Sequence, residues 1–423
     1  MFKHFTNLLI LILVIPASFI FGQQQNSILD SLIRTSIEVS PKIKMLKAKR
    51  NAAFNRIEQN SNLPDPMLTL GLRNLPTNSF SFTQDPMTQK AIGLSQVIPF
   101  PGKLSAIGDA NAIDTLIIDQ EIRDSENEIR KNVTKKYYEL NYVRRALFYA
   151  AETKKLLKDI ADVVGVKYSV STASQQNLVK VQLEITNIED KIETLLSKER
   201  SALAELNAFL LRDAGVDIQT DIIDSVNTID LTVVQLDSLA RANRPFLKGI
   251  LLSKEKAKLK ELVAEKEFYP NFSLGVNYSF RDELVNSTMG KNDLFSVVLG
   301  ISLPLNYGGK YTAKEEEAIS LQQFRADQYS TALQFLDGKF GSAIADLESL
   351  GERIKLFEDG LLPQAQQNLK STLASYQVNE IDFINVIDAQ NQLFKIETNL
   401  YKLKTDYLKQ IADLEFLAGT SLK

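Results

Sequence analysis

The chain has 423 residues, 44% of them apolar, and its 49 basic and 52 acidic residues leave a formal charge of -3. This is the composition of a folded protein, and it lacks the basic excess that nucleic acid would require of a partner. Cysteine is absent and His4 is the only histidine, which excludes the usual zinc and copper ligand sets, Cys/His pairs and Ser-His-Asp triads. No enzyme and no cofactor is expected.

Residues 1–22 carry a basic start at Lys3, an apolar run from Leu8 to Ile15 and small residues before a glutamine-rich stretch. They read as a secretory signal peptide cleaved after Gly22, a single transmembrane anchor being the alternative that the short apolar run and the polar stretch after residue 22 disfavour. With no cysteine near the cut there is no lipid acceptor, so the mature protein must hold itself to any membrane by its fold.

The mature chain is written twice, at an offset of 204 to 208 residues. Pro66–Gly71 falls on Pro270–Gly275, GLSQVIPFPGK (93–103) on GISLPLNYGGK (300–310), and KYSVSTASQQNLVKVQLEI (167–185) on SYQVNEIDFINVIDAQNQL (375–393). The first repeat spans 23–212, with a helix over about 26–60, strands at 66–75 and 90–100, and helical runs over 103–166 and 173–211. A linker rich in Asp and β-branched residues, 213–231, leads to the second repeat, 232–423. This has a helix over 232–268, strands at 270–282 and 293–305, and helical runs over 310–373 and 377–418.

Both sets of helical runs carry a heptad seam, as in Leu333, Leu336, Phe340, Ala343, Leu347 and again in Val386, Ala389, Leu393, Ile396, Leu400. Such a seam packs long helices knobs into holes and predicts a rod or tube. Pro363 lies within that register and is expected to kink the rod.

The strands alternate apolar residues (Phe272, Leu274, Val276, Tyr278, Phe280) with small or polar ones (Ser273, Gly275, Asn277, Ser279). A half-buried sheet on a soluble core would alternate in this way. Strands of about 9–11 residues with aromatic ends also fit a bilayer-crossing sheet. Four strands cannot close a barrel and open edges are not tolerated in lipid, so the second reading requires several chains to pool their strands. At each exit from the sheet a proline ends the ladder and glycine allows the corner, which makes Pro99, Gly102, Lys103 and Pro304, Gly309, Lys310 the hinges from sheet to helix.

Together, LPDPMLTLGLRNLP, MTQKAIGLSQVIPFPGKL and the duplicated hairpins resemble the TolC-like outer-membrane efflux protein family over essentially the whole mature chain, and within it the heavy-metal, CzcC-like and CusC-like branch. The resemblance implies a homotrimer. Its mostly α fold has a small membrane β part: a twelve-stranded barrel in outer-membrane lipid, continued by a helical tunnel in the periplasm of a Gram-negative cell. It further implies a periplasmic adaptor and an inner-membrane pump of the RND type as partners, with heavy-metal cations among the substrates considered. The family's Tyr-x-Val-Gly tips are matched by Tyr168, Val170, Ser171 and by Tyr376, Val378, Asn379, which by resemblance meet the adaptor. Asn takes the left-handed conformation of the replaced glycine more readily than Ser does. By the same resemblance Asp388, Asn385 and Asn177 face a constriction, with Glu380 and Asp382 adding charge nearby. Ile381 stands where the family has a basic residue, so the cationic half of a family-type salt-bridge lock is missing. Met67 and Met87 read as packing or loop residues rather than a metal relay. A periplasmic adaptor or a soluble coiled-coil scaffold is the alternative, disfavoured by the second hairpin and the two amphipathic strand pairs.

Overall fold

Prolines set the first divisions of the chain. A computed structural model describes residues 28–284, 291–378 and 380–422; the expected signal peptide and the tip residue Asn379 lie outside these. The helix expected over 26–60 is two helices, α1 (Ile28–Val39) and α2 (Pro41–Ser61), and that expected over 232–268 is likewise α5 (Val233–Asn243) and α6 (Pro245–Lys266). A proline forces the residue before it out of helical conformation. Ser40 (ψ 121°) and Arg244 (ψ 118°) sit at these breaks, one in each repeat. Ser40 caps α2 by accepting the Ile43 N–H, and Thr232 with Gln235 forms a capping box on α5.

The long hairpins are α3 (Lys103–Ser169) with α4 (Gln175–Phe209), and α7 (Lys310–Leu356) and α8 (Leu362–Gln377) with α9 (Phe383–Ala418). At 1.5 Å per residue the 67 residues of α3 extend about 100 Å. Between α7 and α8 lies a single π-helical turn, residues 357–361, with Pro363 directly after it at the start of α8. The interruption therefore falls in the turn before the proline, where the ring displaces the i−4 hydrogen bond.

Near the sheet, α2, α3, α6 and α7 pack side by side in that order; farther away, α4, α3, α9 and α8 do so. Two long rods thus alternate with two shorter stacked pairs. The seam residues Leu336, Phe340, Ala343 and Leu347 are buried against Leu400, Leu403 and Tyr407 of α9 and Leu236 of α5. Each fully buried Leu or Phe contributes about 1.5–3 kcal/mol. Gly419 (φ 74°) ends α9 so close to the α5–α6 break that a β-carbon there would come within 2.5 Å of Arg244 Cα.

The linker 213–231 has neither helix nor strand and is tied along the bundle by side chains that satisfy its backbone. The hydroxyls of Tyr137, Tyr401 and Tyr407 accept the N–H groups of Asp221, Ile223 and Ile229, and Lys404 Nζ donates to the Asp224 carbonyl at 2.6 Å. With α1 and α5 it forms a belt on one side of the helix rows.

One antiparallel sheet, in the order β1 (Met67–Arg73), β2 (Gln89–Ile98), β3 (Asn271–Phe280), β4 (Leu294–Ser302), joins the two repeats through the β2–β3 pair. The strands are somewhat shorter than the spans expected from sequence. β1 keeps only 7 residues, ending where Asn74 enters positive φ (53°). Among the described residues no helix is long and apolar enough to cross a membrane.

Candidate functional site

The register of the sheet decides how its faces are composed. Leu70 pairs with Ile92, Ile92 with Tyr278 and Tyr278 with Phe295; the next row is Leu68, Leu94, Val276 and Val297. On the other face Thr69, Gly93, Asn277 and Ser296 make one row. Alternation within each strand has become a continuous apolar surface on one side and a small, polar one on the other, because pairing holds all four strands in phase. The apolar side is uncovered: Leu70 is 71% exposed and Leu299 68%. Among the described residues β1 and β4 each have one strand neighbour, so both outer edges are open there.

Each exit from the sheet is a tight corner. After β2, Phe100 stacks on Tyr269 with ring centroids 4.5 Å apart, its N–H donates to Asn271 Oδ1, and Gly102 (φ 81°) starts α3. After β4, two glycines take positive φ, Gly308 (68°) and Gly309 (73°), before Lys310 begins α7. Pro99 and Pro304 stand just past the ends of β2 and β4, and Lys103 and Lys310 are the first residues of their helices. Gly308 shares the bend and was not singled out from sequence; the Gly-Gly pair was the available signal.

At the far end of the hairpins the two repeats meet in a core of Val164, Val181, Ile185, Tyr376, Phe383, Val386 and Ile387. Ser171 adopts the left-handed conformation (φ 59°) in the tight turn that follows α3. The Lys167 carbonyl accepts the Thr172 N–H at 2.8 Å and the Ala173 N–H at 3.2 Å, closing that turn. Tyr168, Val170, Ser171 and Val378 are exposed at the tips. Tyr376 is not: it is 7% exposed, tilted against Phe383 at 5.6 Å, because helix α8 points its ring into the junction between repeats. As a surface contact, that expectation is corrected.

Of the expected constriction residues, Asp388, Asn385, Asp382 and Glu380 are exposed and Asn177 is half-buried. Asn177 and Asn385 occupy corresponding places in the first turns of α4 and α9; Asn177 N–H donates to the Ser174 cap and Asn385 Nδ2 to the Asp382 carbonyl. Asp382 precedes Phe383, the first residue of α9, and Glu380 accepts from Ser375 Oγ at 3.3 Å. The place of Asp388 in the first repeat is taken by Lys180. Sequence reasoning missed the polar ties between repeats: Gln390 Nε2 donates to Thr153 Oγ1 at 3.0 Å inside the core, and Asn391 Nδ2 to Glu184 Oε2 at 3.4 Å. Met67 and Met87 are exposed, and among the described residues no group of three or more His, Asp or Glu could hold a metal ion.

Residues 236–420 match the family model described as outer membrane efflux protein. The chain is 19% identical over 399 residues to the outer membrane protein TolC of Vibrio cholerae serotype O1, an alignment covering 90% of this chain and 88% of that one. It is 23% identical over 326 residues to the cation efflux system protein CusC of Escherichia coli K12, covering 75% and 69%. A crystal structure of CusC superposes with a TM-score of 0.78 at 18% identity over 93% of this chain and 92% of that one. A two-sided sheet at the head of duplicated helical hairpins, the family match across the second repeat and the likeness over nearly the whole fold make the chain similar to the TolC-like outer membrane efflux proteins.

Proposed function

We propose that three copies of this chain form one outer-membrane duct that conducts substrate passively outward, supplied by a periplasmic adaptor and an inner-membrane pump. The sheet carries this reading. Its apolar face runs unbroken across all four strands while both edges are open, so neighbouring copies must supply the missing pairs before it can lie in lipid. The outer helices of the row favour the same assembly, since α2 exposes Lys44 and Lys47 and α7 exposes Glu316 and Glu317. Copies set side by side would bring these opposite charges together.

The exposed tips Tyr168, Val170, Ser171 and Val378 are the proposed adaptor contact, and Asp388 with Asn385 and Asn177 the proposed narrowing. Asn379, Glu380 and Asp382 belong to the same end. CusC is named for cation efflux, and metal cations are accordingly one candidate cargo. Planar-bilayer recording on the purified protein tests the duct. Discrete pores from a detergent-stable trimer are expected, whereas a protein that needs no detergent and forms no pores would return the reading to an adaptor or scaffold.

A further inference from the structure

Arg244, at the break between α5 and α6, is 8% exposed and yet unpaired: among the described residues it makes no ion pair, and its Nε has no hydrogen-bond partner. A buried cation without a counter-ion is costly. Burial pushes its guanidinium down, opposed only by the charge of Asp124. The rings of Phe246 and Phe416 lie 5.5 Å from the guanidinium carbon, which covers it with π faces and gives it no acceptor.

Arg244 lines a cavity of about 820 Å³ between α3, the start of α6 and α7. The other walls include three half-exposed rings, Phe246, Phe324 and Phe335. An adjoining cavity of about 430 Å³ shares Asp124 and Phe246, and two buried oxygens in its wall, Asp124 Oδ1 and Gln120 Oε1, also lack partners. Burial raises the Asp124 carboxyl above its ordinary value, against the pull of Arg244 and the Phe246 N–H, and among the described residues Asp124 and Arg244 form no ion pair. The volume lies within the range of about 300–1,000 Å³ usual for ligand pockets, which are mostly apolar with a few placed polar groups.

The geometry points to a binding site for an organic anion with a flat aromatic body, its carboxylate on Arg244 and its ring among Phe246, Phe324 and Phe335. The cavity is lined by Phe324, Gln328, Thr331 and Phe335 of α7, whereas α5 and the linker pack against Leu336, Phe340, Ala343 and Leu347 of the same helix. In the duct reading, on which the inference rests for its biological sense, the cavity side is the tunnel wall. The site then assigns aromatic carboxylates as a substrate class that pauses midway along the tunnel.

Calorimetry with 1-naphthoate on the assembled wild-type protein tests it, with 1-naphthalenemethanol as the uncharged probe. Naphthoate is expected to bind, and the alcohol about tenfold or more weaker, since a charge-assisted hydrogen bond is lost. Arg244→Met should weaken naphthoate to the level of the alcohol. Thr331→Trp, which fills the cavity from an exposed position on α7, should abolish both without disturbing the buried arginine. Absence of naphthoate binding, including the case where a neighbouring copy covers the cavity, overturns the site, as does equal binding to all three proteins. Pore formation is scored on the same preparation. Pores without naphthoate binding overturn the site and leave the duct; naphthoate binding without pores overturns the duct and leaves the site.

Discussion

The ammonium of Lys167, two residues before the end of α3, sits 4.2 Å from the ring centroid of Tyr376 on α8 and donates to the Tyr376 carbonyl at 3.0 Å. One side chain thereby ties the tip of the first hairpin to that of the second. Any widening that separates the hairpins must break it. The ring contact is worth about 0.5–1 kcal/mol and the hydrogen bond about 1 kcal/mol. Lys167→Met is expected to raise open occupancy roughly tenfold with little change in melting temperature, read as single-channel dwell times. Unchanged dwell times would make the contact a packing detail.

Ser171 holds a conformation that costs an L-residue about 1–2 kcal/mol and glycine nothing. Ser171→Gly should slow local opening of residues 166–174, seen as a several-fold rise in amide protection at that tip. Lower protection would mean that the hydroxyl, not the backbone, stabilises the turn.

Asp388 and Lys180 occupy corresponding positions of the two repeats. In a duct of alternating hairpins their charges oppose each other around one level of the lumen, where rings of side-chain charge set ion preference. Asp388→Ala should move the reversal potential in a salt gradient toward anions and Lys180→Ala toward cations. If neither moves it, both residues lie off the conducting path.

A β-carbon on Gly419 would sit 2.5 Å from Arg244 Cα in a backbone already at φ 74°. Left-handed strain and overpacking together put Gly419→Ala at about 2–5 kcal/mol destabilising. Gly165→Ala is the control, since no atom lies within 4 Å of its β-carbon inside α3. That exchange should stabilise by about 0.5–1 kcal/mol, and thermal unfolding followed by circular dichroism compares the two.

Burial raises the Glu397 carboxyl above its ordinary value of 4.5, against the opposing charge of Arg145. The folded state therefore holds this proton more tightly than the unfolded chain does. Its contribution is fully present below pH 4.5 and is lost as pH rises through the raised value. Glu397→Gln cannot ionise, so wild type should lose melting temperature relative to the variant between pH 4 and pH 8. A difference that does not vary with pH would locate Glu397 in water.

Periodicity and punctuation determined much of this protein from sequence alone. Heptad spacing at Leu336, Phe340 and Ala343 dictates long packed helices because 3.5-residue repeats align one face. The Pro-Gly-Lys corners dictate where strands end and helices begin because proline cannot donate and glycine can turn. The duplication gave the order of elements, but not that Pro41 and Pro245 split a helix in each repeat. Nor could periodicity distinguish a lipid-facing sheet from a half-buried one.

Tertiary structure decided what depends on partners distant in the chain. Pairing β2 with β3 across the repeats brings Leu70, Ile92, Tyr278 and Phe295 into one row, and no single strand encodes that register. Tyr376 reads as a tip residue in sequence but is buried, because whether a side chain at a hairpin end meets solvent or the other repeat depends on how two helix pairs lean together. Arg244 looks like any surface arginine before Pro245, and only the convergence of α3, α6, α7 and the end of α9 buries it. Local propensity is written in neighbouring residues; register, burial and charge pairing arise only when separated segments meet.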